Sequence, residues 1–124
     1  MSMQYTKADA KAYARENLRG IYAANLTPFR EDGSVDESGF RSNLRHWIDE
    51  LGIDGLFING KQAEFFSMSV PERKRQLEVV LEEVGDRCGT MFSCSDENLD
   101  TVLELGRYAQ NLGAQWIIVH TPCL

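Results

Sequence analysis

The feature that most constrains the fold of this chain is a strand, turn and helix unit that recurs at a spacing of roughly thirty residues. Its clearest copy begins at residues 52–64, where an apolar segment opens into a glycine turn with polar side chains. A helix start follows at Ser69. Connections of this kind are right-handed and join parallel strands, so the repeat predicts an α/β fold. Ligands bind at the carboxyl ends of such strands.

The boundaries of the predicted elements come from apolar periodicity and from capping residues. A leading helix is predicted over residues 6–19, and further helices start at Asp36, at Ser69 and at Ser95 or Asp96. Strands are predicted over residues 21–26, 56–58, 90–94 and 116–119. Helical spacing predicts two sets of buried positions, after the first and the third strand: Phe40, Leu44, Trp47, Ile48 and Leu51, and Val102, Leu103, Leu105 and Ala109.

Two closures of a parallel sheet remain open at this point: an open doubly wound sheet and part of a (β/α)₈ barrel. A dinucleotide-binding fold carries G-x-G-x-x-G after its first strand. Here the first strand leads into Asn-Leu-Thr-Pro-Phe at residues 25–29. No dinucleotide site, and no other cofactor, is therefore predicted.

Composition argues against several classes of function. The formal net charge is −6 and no basic run is present, which argues against a nucleic-acid partner. No apolar run approaches the ~20 residues of a membrane span, and the first residues lack the apolar core of a secretion signal. We therefore expect a cytoplasmic protein with no membrane partner.

Cysteine and histidine are predicted to have structural roles. The three cysteines form no C-x-x-C pair and the two histidines show no ligand spacing, so no disulfide scaffold and no metal site is predicted. Cys94 and Cys123 follow predicted strands, but a nucleophilic thiolate needs a cationic or histidine neighbour. His120 is placed inside the fourth strand, which predicts a hydrogen-bonded core residue. His46 is predicted to lie at the surface.

A series of motifs points to one family. Its members in this chain are residues 20–29 (Gly-Ile-Tyr-Ala-Ala-Asn-Leu-Thr-Pro-Phe), 32–36 (Asp-Gly-Ser-Val-Asp), 55–60 (Gly-Leu-Phe-Ile-Asn-Gly), Glu64, 67–69, 72–73 and 121–122. In this order and spacing they resemble the dihydrodipicolinate synthase and N-acetylneuraminate lyase family. The resemblance covers roughly residues 20–124. It implies that this region is the first half of a (β/α)₈ TIM barrel with about four parallel strands, preceded by a helical extension over residues 1–19.

The resemblance also implies a function. The family consists of class I aldolases and lyases that act on pyruvate or another 2-oxo acid through a Schiff base. In the family a lysine on the sixth strand forms the Schiff base, and a tyrosine at the end of the fifth strand shuttles protons. A barrel takes ~250 residues, so neither strand is among those predicted here, and no catalytic residue is expected within this chain. The partners implied are a small 2-oxo acid and further copies in a homo-oligomer.

One loop carries the predicted substrate-binding residues. The family's Gly-Thr-Thr-Gly-Glu after the second strand reads Gly-Lys-Gln-Ala-Glu here, which makes Lys61, Gln62 and Ala63 the carboxylate-loop positions. Thr27, at the end of the first strand, is a further candidate. Lys61 attracts a carboxylate as a point charge, but it cannot relay a proton as a hydroxyl group does.

Other departures and interpretations stay open. The family's Thr-Pro-Tyr-Tyr after the fourth strand reads Thr-Pro-Cys-Leu at residues 121–124, which favours a divergent member. A non-catalytic half-barrel that self-associates is an alternative, because its first and fourth strands would keep unpaired edges. A compact flavodoxin-like domain with an anion site near Lys61 is another.

Overall fold

The computed structural model describes residues 5–121 as four strands and four α-helices that alternate along the chain. The helices are α1 (Ala10–Asn17), α2 (Glu37–Arg45), α3 (Val70–Val84) and α4 (Leu99–Leu112). The strands are β1 (Tyr22–Ala24), β2 (Gly55–Ile58), β3 (Gly89–Ser93) and β4 (Trp116–Ile118). None of the helices described is long and apolar enough to cross a membrane.

The strands form one parallel sheet in the order β1-β2-β3-β4. Each strand therefore pairs with its neighbour along the chain, and right-handed crossovers place the intervening helices on one face. A flavodoxin-like sheet has the order 2-1-3-4-5, with helices on both faces. The flavodoxin-like alternative is therefore wrong, and the winding is that of a barrel. Within residues 5–121, the outer edges of β1 and β4 have no strand partner.

The core lies between the sheet and the helices α2, α3 and α4. Complete burial of one aliphatic or aromatic side chain contributes about 1.5–3 kcal/mol, so this layer is the main source of stability. The sheet supplies Leu56, Ile58 and Phe92 to it, and the helices supply Phe40, Leu44, Leu77, Val80, Leu105 and Ala109, all fully buried.

Three details of the helices differ from the sequence-based expectations. After Arg45 the backbone changes to a π-helical turn over His46–Glu50, which rotates Leu51 out of the apolar stripe and leaves it 61% exposed. Leu103 is also exposed rather than buried. Only Leu105 and Ala109 of α4 are fully buried, so fewer positions of this helix face the core than helical spacing predicts. The N-cap of α4 is Asn98, whose side chain accepts from Asp100 N–H, and not Ser95 or Asp96.

The second face of the sheet is only partly covered. Residues paired in a parallel register point to the same side, so Ala24, Phe57 and Met91 share the face opposite the helices. All three are half-buried. This face, together with the open edges of β1 and β4, corresponds to the inside of an incomplete ring.

The amino-terminal end of the sheet is covered by aromatic side chains from the leading segment. Tyr5 and Tyr13 stack at 4.5 Å between ring centroids, and both contact Trp116 at the start of β4. The Tyr5 hydroxyl donates to the carbonyl oxygen of Gln115, whose side-chain amide donates to the Tyr13 hydroxyl. The helix α1 is thereby tied to the opposite end of the sheet from the predicted site.

Candidate functional site

The loop that follows β2 is built from two short turns at the carboxyl end of the sheet. One 3₁₀ turn spans Lys61–Ala63 and the next spans Phe65–Ser67. They are joined by Glu64, which adopts a left-handed conformation with φ of 57°. Lys61 and Gln62 are exposed, whereas the Ala63 side chain is fully buried. Side-chain contact with a ligand is therefore open to Lys61 and Gln62, while Ala63 offers only its backbone.

Thr27 fastens this loop to the end of β1. Its hydroxyl donates to the carbonyl oxygen of Ala63 at 2.8 Å and accepts from the amide of Gln76 at 3.1 Å. The side-chain amide of Asn25 also donates to the Thr27 hydroxyl oxygen, at 3.5 Å. A hydroxyl has one donor and two acceptor positions, so these contacts use its full capacity. We therefore assign Thr27 to holding the loop, and its direct contact with a substrate has no support in the structure.

Buried asparagine side chains continue the network from β1 to α3. The Asn25 carbonyl oxygen accepts from the backbone N–H of Asn59 at 2.9 Å, and the Asn59 amide donates to the backbone carbonyl of Arg73 at 2.9 Å. Both asparagines are fully buried, and Asn59 has a left-handed backbone. Directional hydrogen bonds thus fix the path of the chain where it leaves β2.

Arg73 joins the same network to the loop after β3. Its guanidinium donates to the Asp96 carboxylate at 3.1 Å and to the Ser95 carbonyl at 2.8 Å, and it lies over the Phe65 ring at 5.0 Å. Only 2% of Arg73 is exposed. Burial lowers the pKa of the guanidinium, and the Asp96 carboxylate opposes that effect. Its Nε–H is buried without an acceptor among the described residues.

A cavity of about 580 Å³ lies beside this network, at the carboxyl ends of β2, β3 and β4. Its lining combines apolar and aromatic side chains with charged and polar groups. Its lining consists of Lys61, Phe65, Phe66, Met68, Val70, Arg73, Ser95, Asp96, Glu97, His120 and Thr121. No carboxylate of residues 5–121 forms an ion pair with Lys61 (their ion pairs involve other basic side chains). Lys61 is thus a cation available to an anionic ligand.

His120 is the functional candidate that sequence reasoning missed. It was predicted to lie in the core of the fourth strand, but β4 ends at Ile118, and His120 is half-buried in the cavity wall. Its Nδ1 lies 3.3 Å from the Ser95 hydroxyl. The signal was the alternation of strand residues: Trp116, Ile118 and His120 share one face, which is the inner one.

Cys94 is the candidate nucleophile that lies within the described residues, and its environment makes it unreactive. Cys94 is 1% exposed, and burial raises the pKa of its thiol to about 11, although Arg73 acts in the opposite direction. The thiol is therefore protonated near neutral pH and serves as a core residue. Cys123 lies outside the described residues. His46 is half-exposed beside Glu50 at 3.0 Å, which confirms its predicted surface position.

No group of three or more histidine, cysteine, aspartate and glutamate side chains within residues 5–121 is arranged to hold a metal ion. The cavity lining offers the Lys61 ammonium group, hydrogen-bonding groups of Ser95 and His120, and the carboxylates of Asp96 and Glu97.

Comparison with known proteins identifies relatives along most of the chain. The family model described as the dihydrodipicolinate synthetase family matches residues 17–124. An N-acetylneuraminate lyase from Fusobacterium nucleatum is 36% identical over 105 residues, which is 85% of this chain and 36% of that protein. The chain thus spans a little over a third of the length of the curated relatives it matches.

Solved structures show the same arrangement of strands and helices. The Clostridium difficile protein CdNal in complex with mannosamine superposes with a TM-score of 0.83 at 34% identity, over 86% of this chain and 37% of that one. The F. nucleatum N-acetylneuraminate lyase complexed with pyruvate gives a TM-score of 0.80 at 36% identity, over 84% and 35%. The prediction that these four strands are the first half of a TIM barrel is confirmed.

Proposed function

This chain belongs to the dihydrodipicolinate synthetase family, and from that premise we propose that it forms the carboxylate-binding half of a lyase of the aldolase type. The substrate proposed is pyruvate or another 2-oxo acid. The F. nucleatum relative complexed with pyruvate supports that choice. The observation that carries the proposal is the exposed Lys61, which has no carboxylate partner among the described residues and faces the 580 Å³ cavity at the carboxyl end of β2.

Lys61 and Gln62 have complementary roles in this proposal. The ammonium group of Lys61 attracts the carboxylate as a point charge, and the Gln62 amide donates a hydrogen bond to one of its oxygens. Thr27 holds the loop through the Ala63 carbonyl. The C2 carbonyl of the 2-oxo acid is then directed toward the inner face of the ring, where Ala24 and Phe57 lie.

The covalent step belongs to a lysine that these four strands do not include. In a class I mechanism a lysine amine condenses with the C2 carbonyl, releases water and forms an iminium that accepts electrons as the carbon–carbon bond breaks. We propose that this chain binds and orients the substrate for such a lysine but forms no Schiff base itself. The open edges of β1 and β4 favour association with further strands, and the homo-oligomer stays a prediction.

The test is pyruvate binding to the 124-residue chain and to two lysine variants, measured by calorimetry or NMR titration. Lys61→Met is expected to weaken binding by roughly tenfold, the worth of one charge-assisted contact. Lys74→Met is the matched control, because Lys74 pairs with Glu104 at 2.5 Å on the outer helices. Equal binding by both variants would contradict the proposal, as would a borohydride-trapped pyruvate adduct on this chain.

A further inference from the structure

Three side chains link the end of β3 to the segment after β4. The Ser93 hydroxyl lies 3.1 Å from the Ser95 hydroxyl, and Ser95 N–H donates to Ser93 Oγ at 3.4 Å. Ser95 Oγ in turn accepts from the backbone N–H of His120 at 2.9 Å and lies 3.3 Å from His120 Nδ1. Both serines are buried. One hydroxyl group therefore holds His120 at two points, its backbone N–H and its ring Nδ1.

The positions of the hydrogens follow from hydrogen-bond satisfaction. If Ser93 donates to Ser95, then Ser95 accepts from Ser93 and from the His120 backbone, and its own hydrogen goes to His120 Nδ1. The reverse direction would leave the fully buried Ser93 hydroxyl without an acceptor among the described residues, which is unfavourable. The satisfied arrangement makes Nδ1 an acceptor and places the ring proton on Nε2.

The ring also contacts an aromatic side chain. The edge of Phe57 contacts it at 6.2 Å between centroids and at an interplanar angle of 74°. Nε2 has no hydrogen-bond partner in the described part of the chain, and His120 and Ser95 both line the cavity that Lys61 lines. A hydrogen bond on one ring nitrogen of a histidine sets the tautomer that its other nitrogen presents.

We propose that His120, oriented by Ser95, donates its Nε2–H to an oxygen of the 2-oxo acid held in this cavity. The inference rests on the proposed function, because Lys61 supplies the charge that brings the carboxylate there. His120 adds a hydrogen-bond donor with a fixed direction, whereas the Lys61 ammonium group acts as a point charge. Ser95 is then a positioning residue, and the recognised ligand is a carboxylate with a neighbouring carbonyl.

Histidine NMR tests the proposal directly, since the chain has two histidines. Long-range ¹H–¹⁵N spectra of the wild-type chain are expected to show His120 as the Nε2–H tautomer. Pyruvate is expected to shift the His120 Nε2 and Cε1–H signals and to leave those of His46 unchanged, because His46 lies on the outer helix beside Glu50. A Ser95→Ala variant is expected to lose the tautomer preference.

Binding measurements separate His120 from Lys61. His120→Ala is expected to weaken pyruvate binding about five- to tenfold, the effect of one net hydrogen bond, and His120→Gln is expected to restore part of it because an amide also donates. One outcome would overturn this inference and leave the proposed function standing. In it, binding depends on Lys61, pyruvate leaves the His120 signals unchanged, and His120→Ala binds pyruvate as tightly as the wild type. Binding that is insensitive to Lys61→Met would overturn both. A wild-type Nδ1–H tautomer would also overturn this inference, because Nε2 would then carry no hydrogen to donate.

Discussion

The two ends of the sheet are stabilised by different kinds of interaction. At the carboxyl end, buried polar side chains are joined by directional hydrogen bonds, from Thr27 through Asn59 to Arg73. At the amino end, the rings of Tyr13 and Trp116 pack against each other, and the Tyr13 hydroxyl accepts from the Gln115 amide. Hydrogen bonds fix orientation, whereas aromatic packing mainly covers apolar surface. A cavity of about 580 Å³ lies at each end, so the ends differ in how their side chains are held in place and not in the space they leave.

The largest effect should come from removing Arg73. Arg73→Ala leaves the buried Ser95 carbonyl without its donor and the Asp96 carboxylate without its partner, and loss of one member of such a pair costs about 3 kcal/mol. Urea unfolding followed by circular dichroism measures it. Lys74→Ala, one residue along α3 and paired at the surface, should change the free energy of unfolding by less than about 0.5 kcal/mol.

A smaller effect is expected at the amino end. Tyr13→Ala removes the stacking on Tyr5 and Trp116, which should lower the free energy of unfolding by about 1–1.5 kcal/mol. Tyr13→Phe keeps the ring and loses the contact with the Gln115 amide, so it should cost less. The comparison fails if Tyr13→Ala destabilises the chain as much as Arg73→Ala, or if it alters pyruvate binding at the opposite end.

The smallest effect is expected outside both ends, on the outer surface of the helices. Hydrogen bonds from Arg75 and then Arg41 hold the pKa of Glu37 at about 2, below its ordinary value of 4.5. A depressed carboxyl pKa stabilises the fold above pH 4.5, and this contribution disappears as the pH falls towards 2. Because the Glu37 side chain is 38% exposed, solvent screening limits it to less than about 1 kcal/mol.

The Glu37→Gln variant tests the direction of this pH dependence of stability. The variant should be slightly less stable than the wild type at pH 7, and the difference should shrink to nothing near pH 2, as measured by denaturant unfolding at both values. Glu31→Gln, in the exposed turn after β1, is the matched control. A difference that grows on acidification would show that the Arg41 and Arg75 contacts do not stabilise the folded state.

Predictions from the sequence were most accurate where a local pattern has one physical cause. The helix start at Ser69 forms as predicted, through a capping box with Glu72 whose side chains and backbone groups lie within four residues. The apolar run at Leu56 to Ile58 forms a parallel strand as predicted, with Leu56 and Ile58 fully buried. The cap of α4 was wrong because Ser95 and Asp96 are occupied by contacts with His120 and Arg73, which are distant in sequence.

Predictions for the candidate site show the same division between local motifs and contacts that are distant in sequence. The loop with Lys61 and Gln62 was identified from its motif, and the structure places it at the expected end of β2. The hydrogen-bond partners of Thr27 could not be inferred from the sequence, since Ala63 and Gln76 lie 36 and 49 residues away. His120 was assigned to the core because it was placed inside the fourth strand, whereas β4 ends at Ile118 and His120 lies in the cavity wall.

The amino-acid sequence alone determined the order and type of the elements, the parallel sheet and the family, because periodicity, caps and short motifs are properties of neighbouring residues. Tertiary structure decided which polar groups are used up and which remain available to a ligand. Thr27 and Lys61 are both polar residues at strand ends, yet one is saturated with hydrogen bonds and the other faces a cavity. That distinction arises from long-range contacts, in which a hydroxyl or an imidazole meets partners from other strands.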